Sequence, residues 1–240
     1  MNFDLTSDQS AVRDRARAFA TGTLGPVAAE IDSTGAVPAA LLQDAAGVLP
    51  ADHGGRVVAI EEAAAVSASV AALMALGQPA DDAGTWPGLR GVGDQAGALT
   101  PAGRAGLAAV AVGIGRAALD EALAVLKAAG DRPTGAADER PHWALADAAT
   151  EVEASRLMVA RAAQAVDAGG DAAAAAAAAQ VYANGCAQRA VEAALRVVGP
   201  QGYHRGSLLE RLSRDARALA LVFGTEEEPR GVVADATLPT

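Results

Sequence analysis

The chain has 240 residues, a formal net charge of −10, 51% hydrophobic but only 3% aromatic residues, and one cysteine. An acidic chain with no cluster of Lys and Arg is unsuited to a phosphate backbone, and one cysteine excludes an intramolecular disulfide. No apolar run approaches membrane-spanning length without Arg, Asp or Gly interrupting it.

A core with few aromatics must be built from Ala, Leu and Val. Alanine has no side-chain entropy to lose in a helix, while Ile, Tyr, Phe, Trp and Thr are scarce, so the composition predicts an all-α protein with closely approaching helices. Thr6-Ser7-Asp8-Gln9 reads as a capping box that opens a helix over about 7–21, with Val12, Ala16 and Phe19 on one face. Leu24-Gly25-Pro26 is expected to break it before a second helical stretch over 27–31. Pro38 as a first helical position and Gly47 as a stop predict a short helix over 38–46. Asp52-His53-Gly54-Gly55 reads as a turn, followed by one longer helix over about 57–76.

Residues 77–101 differ in texture, with Pro79, Pro87, Pro101, six glycines and three aspartates. They read as a linker or compact loop and suggest a boundary. Beyond it, Thr100-Pro101 opens a long helix to about Ala129, Pro141 a second to about Ala168, and Asp171 caps a third, to Val198. This third helix contains the run Ala172 to Ala179, read as close helix packing rather than low complexity. Gly199-Pro200-Gln201-Gly202 ends it. Shorter helices are expected over 207–222 and about 226–236. Long helices with short connections predict an antiparallel bundle. The expected organisation is an N-terminal helical domain (1–80), a linker (81–100) and a C-terminal helical bundle (101–240).

Several stretches, in order, resemble the acyl-CoA dehydrogenase family. Leu5-Thr6-Ser7-Asp8-Gln9 with Phe19, Pro26, Ile31-Asp32 and Val37-Pro38 resembles its opening. Leu49-Pro50-Ala51-Asp52-His53-Gly54-Gly55 resembles its "P-E-E-Y-G-G" turn. Gly113-Ile114-Gly115-Arg116-Ala117-Ala118-Leu119-Asp120 resembles the start of its C-terminal bundle. Val198 to Tyr203, Glu210-Arg211, Arg214-Asp215-Ala216-Arg217 and Gly224-Thr225 resemble "L-G-G-x-G-Y…E-R-x-x-R-D-A-R…E-G-T". The resemblance implies a truncated member, with an N-terminal helical unit, a four-helix bundle and a shortened linker where the family places its central β-domain.

It also implies lost chemistry. The family's catalytic glutamate most often precedes the final Gly-Thr, where this chain has Phe223, and a phenyl ring accepts no proton. The alternative seat, at the start of the first bundle helix, falls at Gly103-Arg104. Of the flavin motifs, Gly199 and Thr225 survive and Arg132 is a possible substitute for a lost arginine. Pro200 replaces a glycine and removes a backbone donor. The resemblance therefore implies no FAD in the chain alone, with FAD expected, if at all, at an interface with a partner.

Weak catalytic candidates are Glu226, Glu227 and His204. Their plainer readings are a helix start, in which Thr225 and Glu228 form a capping box, and a surface or interface histidine. Arg214-Asp215 reads as structural ion pairing within the bundle, Cys186 as a small core residue, and the His and Cys spacings offer no metal site. Three functional readings follow. The first is an accessory subunit paired with a full-length acyl-CoA dehydrogenase. The second is a flavin-free fold that binds or transforms a hydrophobic small molecule or acyl thioester. The third is a minimal active dehydrogenase. Homo- or hetero-oligomers are expected, with no nucleic acid, no membrane and a cytoplasmic location.

Overall fold

The computed structural model describes residues 4–77, Leu89, 99–128, 140–222 and 227–238. Among these residues there are helices and turns and no strand. Ten α-helices follow in order: α1 (Ser7–Phe19), α2 (Gly25–Thr34), α3 (Ala39–Val48), α4 (His53–Ala64), α5 (Ala68–Leu76), α6 (Pro101–Ala128), α7 (Arg140–Asp167), α8 (Ala173–Val198), α9 (Leu208–Val222) and α10 (Glu227–Thr237).

The Thr6 capping box forms as expected. Gln9 N–H donates to Thr6 Oγ1 at 3.2 Å and Thr6 N–H to Gln9 Oε1 at 3.1 Å, and Val12, Ala16 and Phe19 are buried. Leu24-Gly25-Pro26 does not break the path. A π-helical turn, Ala20–Leu24, carries α1 into α2. Pro26 has no N–H to give, and the wider turn absorbs the misfit while Thr21 Oγ1 donates to the Arg17 carbonyl at 2.8 Å. Pro38 stands just outside α3 as its cap, and Gly47 lies inside that helix.

Two further expectations are corrected. The segment 52–55 is a helix start rather than a free turn. Asp52 accepts the Gly55 N–H at 2.5 Å, and the distant Asp167 carboxylate accepts the N–H groups of His53 at 2.8 Å and Gly54 at 2.9 Å. Three orphan donors are thereby satisfied, which outweighs the poor helix propensity of two glycines. Gly55 has no alternative, since a Cβ there would stand 2.7 Å from Pro50 Cγ. The expected single helix over 57–76 is two helices. Ser67 caps α5, its hydroxyl facing the Val70 N–H, and Arg211 donates to the Val66 carbonyl at 3.2 Å, so both sides of the break have partners.

The long helices α6, α7 and α8 pack with α9 into the bundle, and α4 and α5 lie against α6. One continuous core runs from Phe19 through Ile60 and Val70 to Leu107, Ile114, Cys186 and Leu219. Small residues let these helices approach. A Cβ on Gly113 would stand 2.5 Å from both Ala64 Cβ and the Glu61 carbonyl, and one on Gly115 3.0 Å from Val152. In the alanine run, Ala176, Ala177 and Ala179 are fully buried, as close packing requires. No helix among the described residues is long and apolar enough to cross a membrane.

Candidate functional site

The first turn of α6 begins where Thr100 Oγ1 accepts the Gly103 N–H at 3.1 Å. The next residue, Arg104, projects from the apolar first half of α6 and is almost wholly buried, 4% exposed. A guanidinium keeps its charge at any ordinary pH, so burial demands an anion and acceptors for its fork of donors. Arg104 Nη1 donates to Gln180 Oε1 of α8 at 2.8 Å, and Nη2 pairs with the Glu228 carboxylate of α10. The second base seat predicted from sequence is therefore occupied by a buried cation and its counter-ion.

Glu227 and His204, the predicted catalytic positions among the described residues, make no hydrogen bond or ion pair with that cluster. Glu227 is exposed on the first turn of α10. His204 is exposed in the turn before α9, and no hydrogen bond or ion pair joins either side chain to another described side chain. Gly199 ends α8 with φ 74°, a left-handed backbone that favours glycine, and has open space around its Cα. Phe223, Thr225, Glu226 and Arg132 lie outside the described residues, as does the Thr225–Glu228 capping box.

A second polar constellation ties α1, α4, α6 and α7 together. Glu62, buried on α4, accepts from Arg17 at 3.0 Å and from Arg116 at 3.0 Å. Glu61 accepts from Arg156 at 2.9 Å and lies 3.2 Å from Arg116 Nε. The hydrogen bond to Glu62 raises the Arg17 pKa. Burial would lower that of Arg156, but its bonds to Glu61 outweigh the loss of water and raise it. Where α7 ends, partial burial pushes the Asp167 carboxyl up, yet the N–H groups of His53 and Gly54 and the His53 ring, 2.9 Å away, hold it below its ordinary value.

On α9, Arg214 does not pair only within the bundle. It clamps Asp32 of α2 at 2.7 and 2.8 Å while bonding Glu210 one turn back, and these bonds raise its pKa. Asp215 is not its ion-pair partner but lies buried and accepts the Leu89 N–H at 2.9 Å. Burial raises its carboxyl to about 6, against the pull of that N–H and of Arg211. The folded chain therefore holds a proton more tightly than the unfolded one. The stability from protonated Asp215 is present below the ordinary aspartate range and is lost as pH rises through about 6. Asp215→Asn is expected to flatten this fall, measured as the difference in urea midpoints between pH 4.5 and pH 7.5 for the two proteins. Equal pH slopes would contradict it.

Cys186 is buried, and burial raises its thiol pKa, as for an inert core residue. Among the described residues no three His, Cys, Asp or Glu side chains gather as a metal site. A groove of about 410 Å³ lies between α6 and α7, walled by Leu119, Leu123, Leu126, Leu145 and Val152. At its margin, neither ring nitrogen of His142 has a hydrogen-bond partner among the described residues.

Sequence reasoning missed the Arg104–Gln180–Glu228 cluster as a unit. The signal available was an arginine followed by about three turns of Gly, Ala, Leu, Val and Ile (105–115), a position that folding was bound to bury.

The helical bundle agrees with comparisons to known proteins. Residues 90–238 match the family model described as "Acyl-CoA dehydrogenase, C-terminal domain". The chain belongs to the acyl-CoA dehydrogenase family, and among the described residues no strand of a β-domain is present. It is 37% identical over 134 residues to a 3-(aryl)acrylate reductase of Clostridium sporogenes, a match covering 55% of this chain and 35% of that protein. It is 31% identical over 133 residues to the caffeyl-CoA reductase-Etf complex subunit CarC of Acetobacterium woodii, covering 55% and 35%. The match thus spans about a third of the length of these relatives. The solved butyryl-CoA dehydrogenase of Megasphaera elsdenii is similar in fold, with a TM-score of 0.83, 18% identity and coverage of 100% of both chains.

Proposed function

We propose that this chain is an accessory subunit that assembles through its bundle with a full-length, flavin-bearing acyl-CoA dehydrogenase. The observation that carries this reading is the uncovered apolar face of the bundle. The groove between α6 and α7 lies open, Leu123 on α6 and Trp143 on α7 are exposed, and Trp143 is 60% exposed. Faces of this kind mark association surfaces. The base seat at Gly103-Arg104 supports a non-catalytic role, since the one carboxylate that meets it among the described residues is consumed by the Arg104 ion pair. The flavin segment supports it as well. α8 ends in Arg196, a left-handed Gly199 and Pro200, which has no N–H to offer a cofactor, so the residues present do not fit flavin held by this chain alone. That the A. woodii relative carries the name of a complex subunit is consistent with members of this family working in assemblies.

The groove also favours the second reading, a flavin-free site for a hydrophobic small molecule, because its volume falls within the range of small-ligand pockets. One experiment separates the two. The chain is co-expressed with a full-length acyl-CoA dehydrogenase from the same source and passed over a sizing column with absorbance read at 280 and 450 nm. Co-elution at fixed stoichiometry with flavin absorbance is expected. A stable, colourless homodimer that ignores the larger protein would overturn the accessory reading and leave the ligand-binding one.

A further inference from the structure

A cleft between α2 and the start of α9 holds positive charge that the fold leaves unmet. Its volume is about 510 Å³, and three arginines, Arg205, Arg211 and Arg214, line it against two carboxylates, Asp32 and Glu210. Both carboxylates are committed to Arg214, which meets Asp32 at 2.7 Å and Glu210 at 2.8 Å. Arg211 donates to the Val66 carbonyl at 3.2 Å, a neutral acceptor that does not offset its charge. Its remaining pull is on Asp215, a carboxyl that burial pushes up to about 6. Arg205 is exposed, and neither it nor Arg211 forms an ion pair among the described residues.

Two guanidinium groups without a carboxylate thus face one cleft, on a chain whose formal net charge is −10. The local backbone explains the grouping. Gly206, at φ 91°, makes a left-handed turn that favours glycine, and the Ser207 N–H closes it by donating to the His204 carbonyl at 2.9 Å. This turn brings Arg205 to the cleft beside Arg211 and Arg214, which stand three residues apart on one face of α9.

A monocarboxylate would answer one of the two free charges. A phosphate monoester carries about −1.5 to −2 at neutral pH, and its three oxygens suit two planar forks of donors. Arg214 with Asp32 and Glu210 makes a trio with one net negative charge, so an anion belongs on the Arg205–Arg211 side. Each carboxylate of the trio keeps lone pairs that a hydroxyl donor can use. The volume lies within the span of small-ligand pockets, roughly 300–1,000 Å³. We infer that this cleft binds a small hydroxylated phosphate monoester, with its phosphate between Arg205 and Arg211 and its hydroxyls towards Asp32 and Glu210. The site does not depend on the accessory-subunit reading, because every residue in it belongs to one chain.

Equilibrium dialysis of radiolabelled glycerol 3-phosphate against the full chain, at constant ionic strength, tests the site. One saturable site per chain is expected, with succinate and glycerol competing at least about tenfold more weakly. Arg205 has no ion pair to lose, so Arg205→Gln is expected to fold normally and to weaken the probe about tenfold, and Arg205→Glu to weaken it further. Arg217→Gln, which changes an exposed arginine of α9 outside the cleft, is expected to leave binding unchanged. A lipid headgroup offers the same phosphate chemistry, so sedimentation with vesicles of phosphatidylcholine and phosphatidic acid forms a second arm, in which the chain is expected to stay in solution. No saturable binding of the probe, succinate competing equally, or equal losses in Arg217→Gln and Arg205→Gln would overturn the inference. Capture by the vesicles without binding of glycerol 3-phosphate would overturn it in favour of a lipid.

Discussion

Glu62→Ala is expected to lower the unfolding free energy by about 3 kcal/mol, at the low end of the range for removing one partner of a buried ion pair. The substitution strips the carboxylate from between Arg17 and Arg116, each 3.0 Å from it. Arg17 is half exposed and turns to water. Arg116 cannot, and it is left with Glu61, which already serves Arg156. The penalty is therefore mainly one under-compensated guanidinium between α4, α6 and α7. Replacing Glu62 and Arg116 together by Met is expected to recover most of the loss, since apolar pairs of similar volume substitute well for buried ion pairs. Arg189→Gln breaks a pair with Glu151 that faces solvent, and its cost is expected to stay below about 1 kcal/mol. Urea unfolding followed by far-UV circular dichroism measures all three. A Glu62→Ala loss no larger than that of Arg189→Gln would show that the network adds nothing to stability.

Gly113→Ala is expected to be about as damaging, at roughly 2 to 4 kcal/mol. Alanine is the better helix former, so propensity alone predicts a gain. Packing reverses the sign. The new methyl would stand 2.5 Å from Ala64 Cβ and 2.5 Å from the Glu61 carbonyl, and neither is the mobile end of a long side chain. α4 must move away from α6, which also stretches the bonds that Arg116 donates to the Glu61 carbonyl and the Glu62 carboxylate. Gly47→Ala supplies the contrast. It lies inside α3 with nothing within 4 Å of an added Cβ, and a gain of up to about 1 kcal/mol is expected. Thermal melts of the two variants should move in opposite directions, and a neutral Gly113→Ala would mean that α4 and α6 are not locked at this contact.

Much of this was readable from residues close together in the chain. The Thr6 capping box, the glycine stop at Gly199 and the long helices α6 to α8 each depend on groups within one or two turns, and they form where expected. Misreadings arose where a distant group intervened. Asp167, 114 residues away, converts an apparent turn at His53-Gly54 into a helix start. The break at Val66-Ser67 is stabilised by Arg211, 145 residues on.

The sequence by itself determined the all-helical class, the positions of most helix ends and the family resemblance, because propensity, caps and apolar periodicity act over a few residues. Only the tertiary structure decided which charges meet. Arg104 and Glu228 are 124 residues apart, Arg214 and Asp32 are 182 apart, and Asp215 finds its donor at Leu89, 126 residues away. Nothing local selects such partners. They are chosen when folding withdraws a charge or a carboxyl from water and only a group brought alongside by packing can replace the solvent it has lost.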